Sequence, residues 1–348
     1  MGANVLKRIW DMAEEEVRKK HLILVCNTKH SAASHTDSGG FSMDTEYYSD
    51  DEFEQVLSMF YHIGLPLDVF TYEDDFFSYV IDEKPANLLV YNSAQSGTGP
   101  GRKSLIPAFC GLHNIPITGS DAYVVSLCRQ KYHVNQILSQ AGFRVPEAWL
   151  YSSDHWQKSR PVFGQKILLK PIYESASIGI DNASIQLYSD SVDPFIQKRS
   201  EKLHQPIIAQ EFISGYEVEV PLVRAGRHVC QLPPVGISVQ EKRFLGDEIL
   251  DYERIYFDRY GFYDFAAESN DLANAISDCA ANAAHILGMK GLCRVDFRIT
   301  ENGAYYITDV STNPHFILHS SVHCAFDLLG LSSDDIAKTI LAAAVDNG

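Results

Sequence analysis

Cys293-Arg-Val-Asp-Phe-Arg298 and Thr308-Asp-Val-Ser-Thr-Asn-Pro-His-Phe-Ile-Leu-His-Ser-Ser321 are the most telling segments of this 348-residue chain. Each begins as a short β-strand pattern, and in a strand residues two apart project from the same face. Arg294 and Asp296 therefore share one face, as do Asp309 and Ser311, with Asn313 two residues further on. Two aspartates, a hydroxyl and an amide oxygen are hard ligands. Mg²⁺ takes such oxygens and usually shares them with substrate phosphates, so this cluster, with an arginine beside it, points to a nucleotide phosphate site. Polar residues of these types are also ordinary where strands run into turns.

The composition narrows the alternatives. With 45% hydrophobic and 21% charged residues, the chain is a globular protein long enough for two or three domains. Its 29 Lys and Arg against 45 Asp and Glu give a net charge of −16, which opposes sequence-independent binding to nucleic acid. An acidic protein still binds ATP when a few lysines are placed locally and a metal offsets the rest of the charge. Seven widely spaced cysteines, odd in number and without a Cys-x-x-Cys pair, read as reduced thiols of a cytoplasmic protein. No apolar run approaches the ~20 residues that span a bilayer, and the first residues lack a signal-peptide core, so no membrane partner is expected. Gly2 does not make a myristoylation site, because Leu6 stands where Ser or Thr is needed.

Residues 4–20 read as a charged helix, and His21-Leu-Ile-Leu-Val-Cys26 as a buried parallel strand. The loop from Thr28 to Asp51 is rich in Ser, Gly, Asp and Thr and reads as a lid or a plain mobile loop. A helix over 52–63, a strand at 67–70, a strand at 86–91 and a helix at 103–113 continue the rhythm of a doubly wound α/β domain. Ser96-Gly-Thr-Gly-Pro-Gly-Arg-Lys103 lacks phosphate-loop spacing, and Pro100 has no amide hydrogen, so it reads as a strand-to-helix connection. One helix is expected after Ser120. Strands are expected at 166–170, 177–180, 207–212, 217–223 and 228–232, with an Ala-rich helix over 270–287 and a final helix after Ser332. Lys131, heading a helix, and Lys170, ending an apolar strand, are placed to bring two amines to a phosphate chain.

The order of these lysines, with Lys170-Pro-Ile-Tyr-Glu-Ser-Ala-Ser-Ile-Gly-Ile180, Gln210-Glu-Phe-Ile-Ser-Gly-Tyr-Glu217, Cys293-Arg-Val-Asp-Phe297 and Asp309-Val-Ser-Thr-Asn313, resembles the ATP-grasp superfamily and most closely its D-alanine:D-alanine ligases. The similarity runs from about Ile115 to the C-terminus. It implies an α/β fold, α+β in its C-terminal part, with a doubly wound parallel-sheet domain over residues 1–120. Two ATP-sandwiching units would follow, over 121–212 and 213–348. It implies an ATP-dependent ligase joining a carboxylate to an amine through an acyl-phosphate, with ATP and Mg²⁺, or Mn²⁺ in its place, small amino-acid or carboxylate substrates and a homodimer. Lys131 and Lys170 would hold phosphates, and Glu174, Ser175 and Ser177 would lie in a loop closing over them. Gln210, Glu211, Phe212 and Ile213 would contact adenine, and Glu217 the ribose. Asp296 and Asp309 would bind the metal, with Ser311 or Asn313 completing the site. Arg294 would stabilise the oxyanion of a tetrahedral intermediate, with Tyr256 and Ser320 at the substrates. Phosphoryl transfer asks chiefly for positioning and charge neutralisation, and these residue types supply it.

The chain departs from the family pattern where amino acids bind. Asp309-Val310-Ser311 stands for Glu-x-Asn, Ser175-Ala176-Ser177 for Gly-Ser-Ser, Ile255 for a lysine, and Pro314-His315-Phe316 for Pro-Gly-Met. These changes lead to the expectation of retained ATP chemistry without D-alanine specificity. A housekeeping D-alanine:D-alanine ligase, an ATP-grasp phosphotransferase and a nucleotide-binding protein without turnover are the alternatives.

Overall fold

The apolar run His21–Val25 pairs in parallel with Leu67–Phe70 on one side and Leu88–Asn92 on the other. The computed structural model describes residues 2–31, 37–38, 40–97 and 99–346. Leu22 and Leu24 point to one face of this sheet, where helices Gly2–Val17 and Asp50–Tyr61 bury Leu6, Ile9, Val56 and Met59 against them. Ile23 and Val25 point to the other, covered by Glu73–Glu83 and Leu105–Leu112. Helices on both faces explain why His21–Val25 and Leu88–Asn92 read as nearly continuous apolar runs, while the edge strand Leu67–Phe70 carries the exposed Asp68. The last helix, Ser333–Asp346, returns to this layer and buries Ile336, Ala337, Ile340 and Leu341 with the first helix. Among the described residues no helix is long and apolar enough to cross a membrane.

The expected single helix after Ser120 is two. Ala122–Arg129 and Lys131–Gln140 break at Gln130, whose side chain accepts from the His133 amide at 3.1 Å and caps the second helix. The break puts Lys131 on the first turn of the second helix. A five-stranded antiparallel sheet follows, with Ile207–Glu211 between Ala148–Ser152 and Lys166–Pro171. Ile167 and Leu169 enter its core while Lys166, Leu168 and Lys170 take the opposite face. The strand expected over 177–180 is instead a turn. Ala176, Ser177 and Gly179 have φ of 49°, 51° and 80°, a left-handed run that no strand accommodates.

The third sheet has Tyr216–Ala225 beside Gly291–Ile299, which pairs with Tyr305–Ser311. Cys293, Val295, Phe297 and Ile299 meet Ile276, Ala280 and Ala283 of helix Asn270–Ile286 in one core. Arg294, Asp296 and Arg298 are thereby sent to the other face. Strict alternation from Ile307, which is buried in that core, would also bury Asp309. The pairing shifts register between Asp296 and Phe297, leaving Thr308 as an extra residue. This bulge turns Asp309 and Ser311 to the side of Asp296.

Gly291 starts its strand at φ 68°, and a Cβ there would lie 2.7 Å from the Gly119 Cα. Backbone therefore meets backbone where the N-terminal layer joins the third sheet. Gly291→Ala should destabilise the protein by about 1–3 kcal/mol, combining an unfavourable φ with a contact that cannot relax by side-chain motion. Urea denaturation checks this, and an unchanged midpoint would show that the two segments separate freely.

Candidate active site

Between the second and third sheets, and closed at one end by the N-terminal layer, lies a cavity of about 510 Å³. Lys131, Lys170, Glu174, Ser175, Ser177, Gln210, Glu211, Phe212, Ile213, Glu217, Tyr256, Arg294, Asp296, Asp309, Ser311, Asn313 and Ser320 all line it. The cavity thus brings together every side chain singled out in the sequence. Their orientations divide them.

The third sheet presents a row of three carboxylates, with Glu219 opposite Asp296 and Asp296 opposite Asp309 across successive strands. Arg294 bridges the first two, 2.8 Å from Glu219 and 2.7 Å from Asp296. Burial lifts the Glu219 carboxyl to about 7 against the pull of Arg294. Burial also raises the Asp296 carboxyl, again opposed by Arg294. For Asp309 burial pushes upward, but Lys131 and Lys170 together hold it below the usual carboxylate range. Lys131 makes a direct ion pair with Asp309. The Lys170 ammonium is buried, and that burial lowers its proton affinity although Asp309 lies nearby. Glu217 pairs with Arg298 at 3.2 Å, and Arg298 also donates to the carbonyl of Ile213 at 3.0 Å. Phe212 lies under Lys166 and Arg298, 4.7 and 5.6 Å from its ring centre.

Several expectations change on inspection of partners. The Glu174 carboxylate faces Arg102 at 2.8 Å and Gln205 at 2.8 Å, so it anchors the loop from below, and as an anion it would repel a phosphate rather than hold one. Ser175 donates its amide to Glu46 at 2.5 Å and accepts from Arg129 through its hydroxyl. The Ser177 hydroxyl donates to the Leu250 carbonyl at 2.7 Å. These side chains shape the loop. Asn313 lies past the end of its strand, where alternation no longer aims it. Its amide nitrogen donates to the Asn92 carbonyl at 2.9 Å, and Ser311 is the residue that shares the face of Asp309. Ser320 donates to the Ile317 carbonyl at 2.8 Å and caps helix Ser321–Leu328 by accepting from the His323 amide at 3.1 Å. Tyr256 stacks on Tyr252 with centroids 5.6 Å apart. His323 is structural, its ring nitrogens held by Asp327 and Ser333 at 3.1 and 2.9 Å.

Sequence reasoning missed a second cluster at the N-terminal end. Glu46, from the loop after the first strand, is buried among Arg102, Lys103 and Arg129 at 3.7, 3.1 and 3.2 Å. Burial pushes its carboxyl up, but the three cations outweigh burial and hold it well below 4.5. Residues 32–36 and 39 of that loop lie outside the described residues. His315 also enters the cavity, its ring 5.2 Å from that of Tyr48, and burial lowers its basicity. A carboxylate in a supposed lid and a basic pair closing the glycine-rich connection were the available signals for this cluster.

The family described as the D-ala D-ala ligase C-terminus matches residues 137–342. A D-alanine--D-alanine ligase of Bordetella petrii is 27% identical over 67% of this chain and 69% of its own length. One from Geobacillus kaustophilus is 26% identical over 71% and 67%. Among solved structures, the D-alanine--D-alanine ligase of Bacillus anthracis complexed with ATP aligns with a TM-score of 0.69 at 13% identity, over 94% of this chain and 97% of that one. The VanG D-Ala:D-Ser ligase of Enterococcus faecalis aligns at 0.66 and 16%, over 94% and 99%. The structural matches establish the shared α/β ATP-grasp fold.

Proposed function

The chain belongs to the family of the D-ala D-ala ligase C-terminus, and on that premise we propose that it is an ATP-dependent ligase joining a small carboxylate to an amine through an acyl-phosphate. The observation that carries this reading is the convergence of Lys131 and Lys170 on Asp309, in one cavity with Arg294. Lys131, whose backbone amide donates to the Ile172 carbonyl, and the neighbouring Lys170 together hold the phosphate chain, and the segment Gln210 to Ile213 forms the edge against which adenine lies. A substrate carboxylate oxygen attacks the γ-phosphorus, the bond to the β-phosphate oxygen breaks and ADP leaves. The neutral amine then attacks the acyl carbon, and the proton it gives up leaves with the phosphate. Arg294 donates to the oxyanion that forms, and phosphate departs as the amide closes. Sequestering the acyl-phosphate between the sheets keeps water from competing.

The donor set fits Mg²⁺. Among the described residues no three His, Cys, Asp or Glu side chains are grouped for a metal. Mg²⁺ is instead commonly held by one or two carboxylates plus substrate phosphates, and Asp296 and Asp309, directly opposite each other with Ser311 alongside, supply that pair. Held by Asp296 and Asp309, the ion would offset phosphate charge during the transfer. Arg294 and Lys131 hold the two carboxylates until then, so neither is left as an unpaired buried charge.

ADP release from Mg·ATP across pooled D- and L-amino acids and small carboxylates, with mass spectrometry of products, tests the reading. A condensed product whose formation stops in Asp296→Asn supports it. ADP formation with a phosphorylated, uncondensed acceptor would replace it with a phosphotransferase. D-Alanyl-D-alanine as the preferred product would make the chain a housekeeping ligase. Ser311→Asn should raise turnover severalfold, since an amide oxygen is a stronger ligand than a hydroxyl; an unchanged rate would remove Ser311 from the metal site.

A further inference from the structure

Around Tyr260 the cavity wall is acidic and aromatic. The charged groups that act most strongly on its hydroxyl are three carboxylates, Glu219, Asp258 and Glu52, and one guanidinium, Arg294, and all of them line the cavity. Arg294 is already shared between Glu219 at 2.8 Å and Asp296 at 2.7 Å. Asp258 accepts from the His319 ring at 2.5 Å, a hydrogen bond for which the imidazole needs no charge. Glu52 accepts from the Ser49 amide at 2.7 Å through one carboxylate oxygen and makes no ion pair among the described residues. Its helix, Asp50–Tyr61, is tied to the loop that carries His319, because Gln55 on the next turn accepts from the Leu318 amide at 3.1 Å. The His319 ring in turn lies 4.9 Å from that of Tyr260 and 5.0 Å from that of Phe262, which also lines the cavity. Ser321 marks the same wall as unfinished. It is 1% exposed and lines the cavity beside Glu219, and its Oγ has no hydrogen-bond partner. A buried hydroxyl in that state is destabilising, and a ligand that completes it recovers the loss.

Resting on the ligase reading, we propose that the amine substrate is a diamine without a carboxylate, one nitrogen attacking beside Arg294 and the other, as an ammonium, held by Glu52 and Asp258 against the ring of Tyr260. Ser321 Oγ, next to Glu219 and so to Arg294, accepts a hydrogen from the attacking nitrogen, which completes the orphaned hydroxyl and orients the lone pair. The distal ammonium keeps its proton throughout. Carboxylates and aromatic rings together suit an alkylammonium, because the negative face of each ring adds to the pull of the carboxylates. The selection has a repulsive half as well. The carboxylate of an amino-acid nucleophile would meet Glu52, Asp258 and Glu219 with Arg294 already engaged, which discriminates as strongly as the attraction does.

Binding tests this without turnover. With Mg²⁺ and a non-hydrolysable ATP analogue, α,ω-diamines of about three to six carbons are titrated calorimetrically beside the monoamine, the ω-amino acid and the α,ω-diamino acid of matching chain. At one length the diamine should bind at least about tenfold more tightly than any of the three, as expected when a charge-assisted contact is compared with none or with a repulsive one. Glu52→Gln carries the mutational arm, because glutamine keeps the capping bond to the Ser49 amide and so spares the helix. It should remove most of the preference for the diamine over the monoamine and leave nucleotide affinity unchanged. Monoamines or amino acids binding as well at every length, or no binding by any diamine, would overturn the subsite. A chain of net charge −16 attracts polycations generally, so a diamine preference that Glu52→Gln leaves intact would be that attraction and would overturn it too. So would a Glu52→Gln variant that loses nucleotide affinity, which would assign Glu52 to the closure of the site on ATP. None of these outcomes touches the ligase reading, which falls only if no acid and amine yield ADP and amide.

Discussion

Lys170→Met should lower ATP turnover by about 10²–10³-fold while leaving the thermal midpoint within a few degrees of the parent. The strand Lys166–Pro171 sends Lys170 to the cavity because its neighbours Ile167 and Leu169 fill the core behind. Its ammonium is buried, and that burial works against the charge it carries. A cation kept in place at such a cost serves charge that arrives with the substrate. Removing one fixed donor from the developing charge of a transition state loses about 10²–10³ in rate. Folding loses little. Methionine keeps the apolar stem, and Asp309 retains Lys131 as a partner. ADP release at saturating substrates, beside a melting curve, gives both numbers. Turnover within threefold of the parent would place the phosphates elsewhere; a collapse of the midpoint would make Lys170 a structural cation.

What the sequence made legible here follows from periodicity. Arg294, Asp296 and Arg298 alternate with Cys293, Val295 and Phe297, so their common face and its polarity could be read directly. The same pattern in Glu217-Val-Glu-Val220 carried Glu219 to that face, a signal present in the sequence and passed over. Ile178 and Ile180 imitate a strand by alternation, yet the segment turns because Ile178 is buried beneath the loop while Gly179 packs against Pro171. Alternation carries no information on φ. The ion cluster at the N-terminal end was beyond local patterns. Glu46 meets Arg129 and Ser175 only once three layers have docked, and no spacing rule joins residues that far apart. The bulge at Thr308 is likewise a property of paired strands, visible only from the register of the partner.

Glu46→Gln should cost about 3–5 kcal/mol of stability, the usual result of removing one partner from a buried charge cluster. Its carboxylate is the point where the N-terminal loop, Arg102 and Lys103, helix Ala122–Arg129 and the loop after Lys170 meet. Without it Arg102 and Arg129 have only Glu174, Lys103 loses its carboxylate partner, and the Ser175 amide loses its charged acceptor. The dependence on pH follows from the depressed acidity. A carboxyl whose folded value lies well below its ordinary 4.5 contributes stability that is present above 4.5 and is lost as pH falls toward the folded value. The parent should therefore lose stability in that acid range more steeply than Glu46→Gln, and the gap between their urea midpoints should narrow. A constant gap down to the acid limit would mean that the cluster acts through shape rather than charge. Nucleotide binding supplies the functional arm. Because Glu46 fixes the Ser175 backbone, the variant should bind ATP more weakly even where it remains fully folded, whereas a carboxylate that only stabilised the fold would leave that affinity intact.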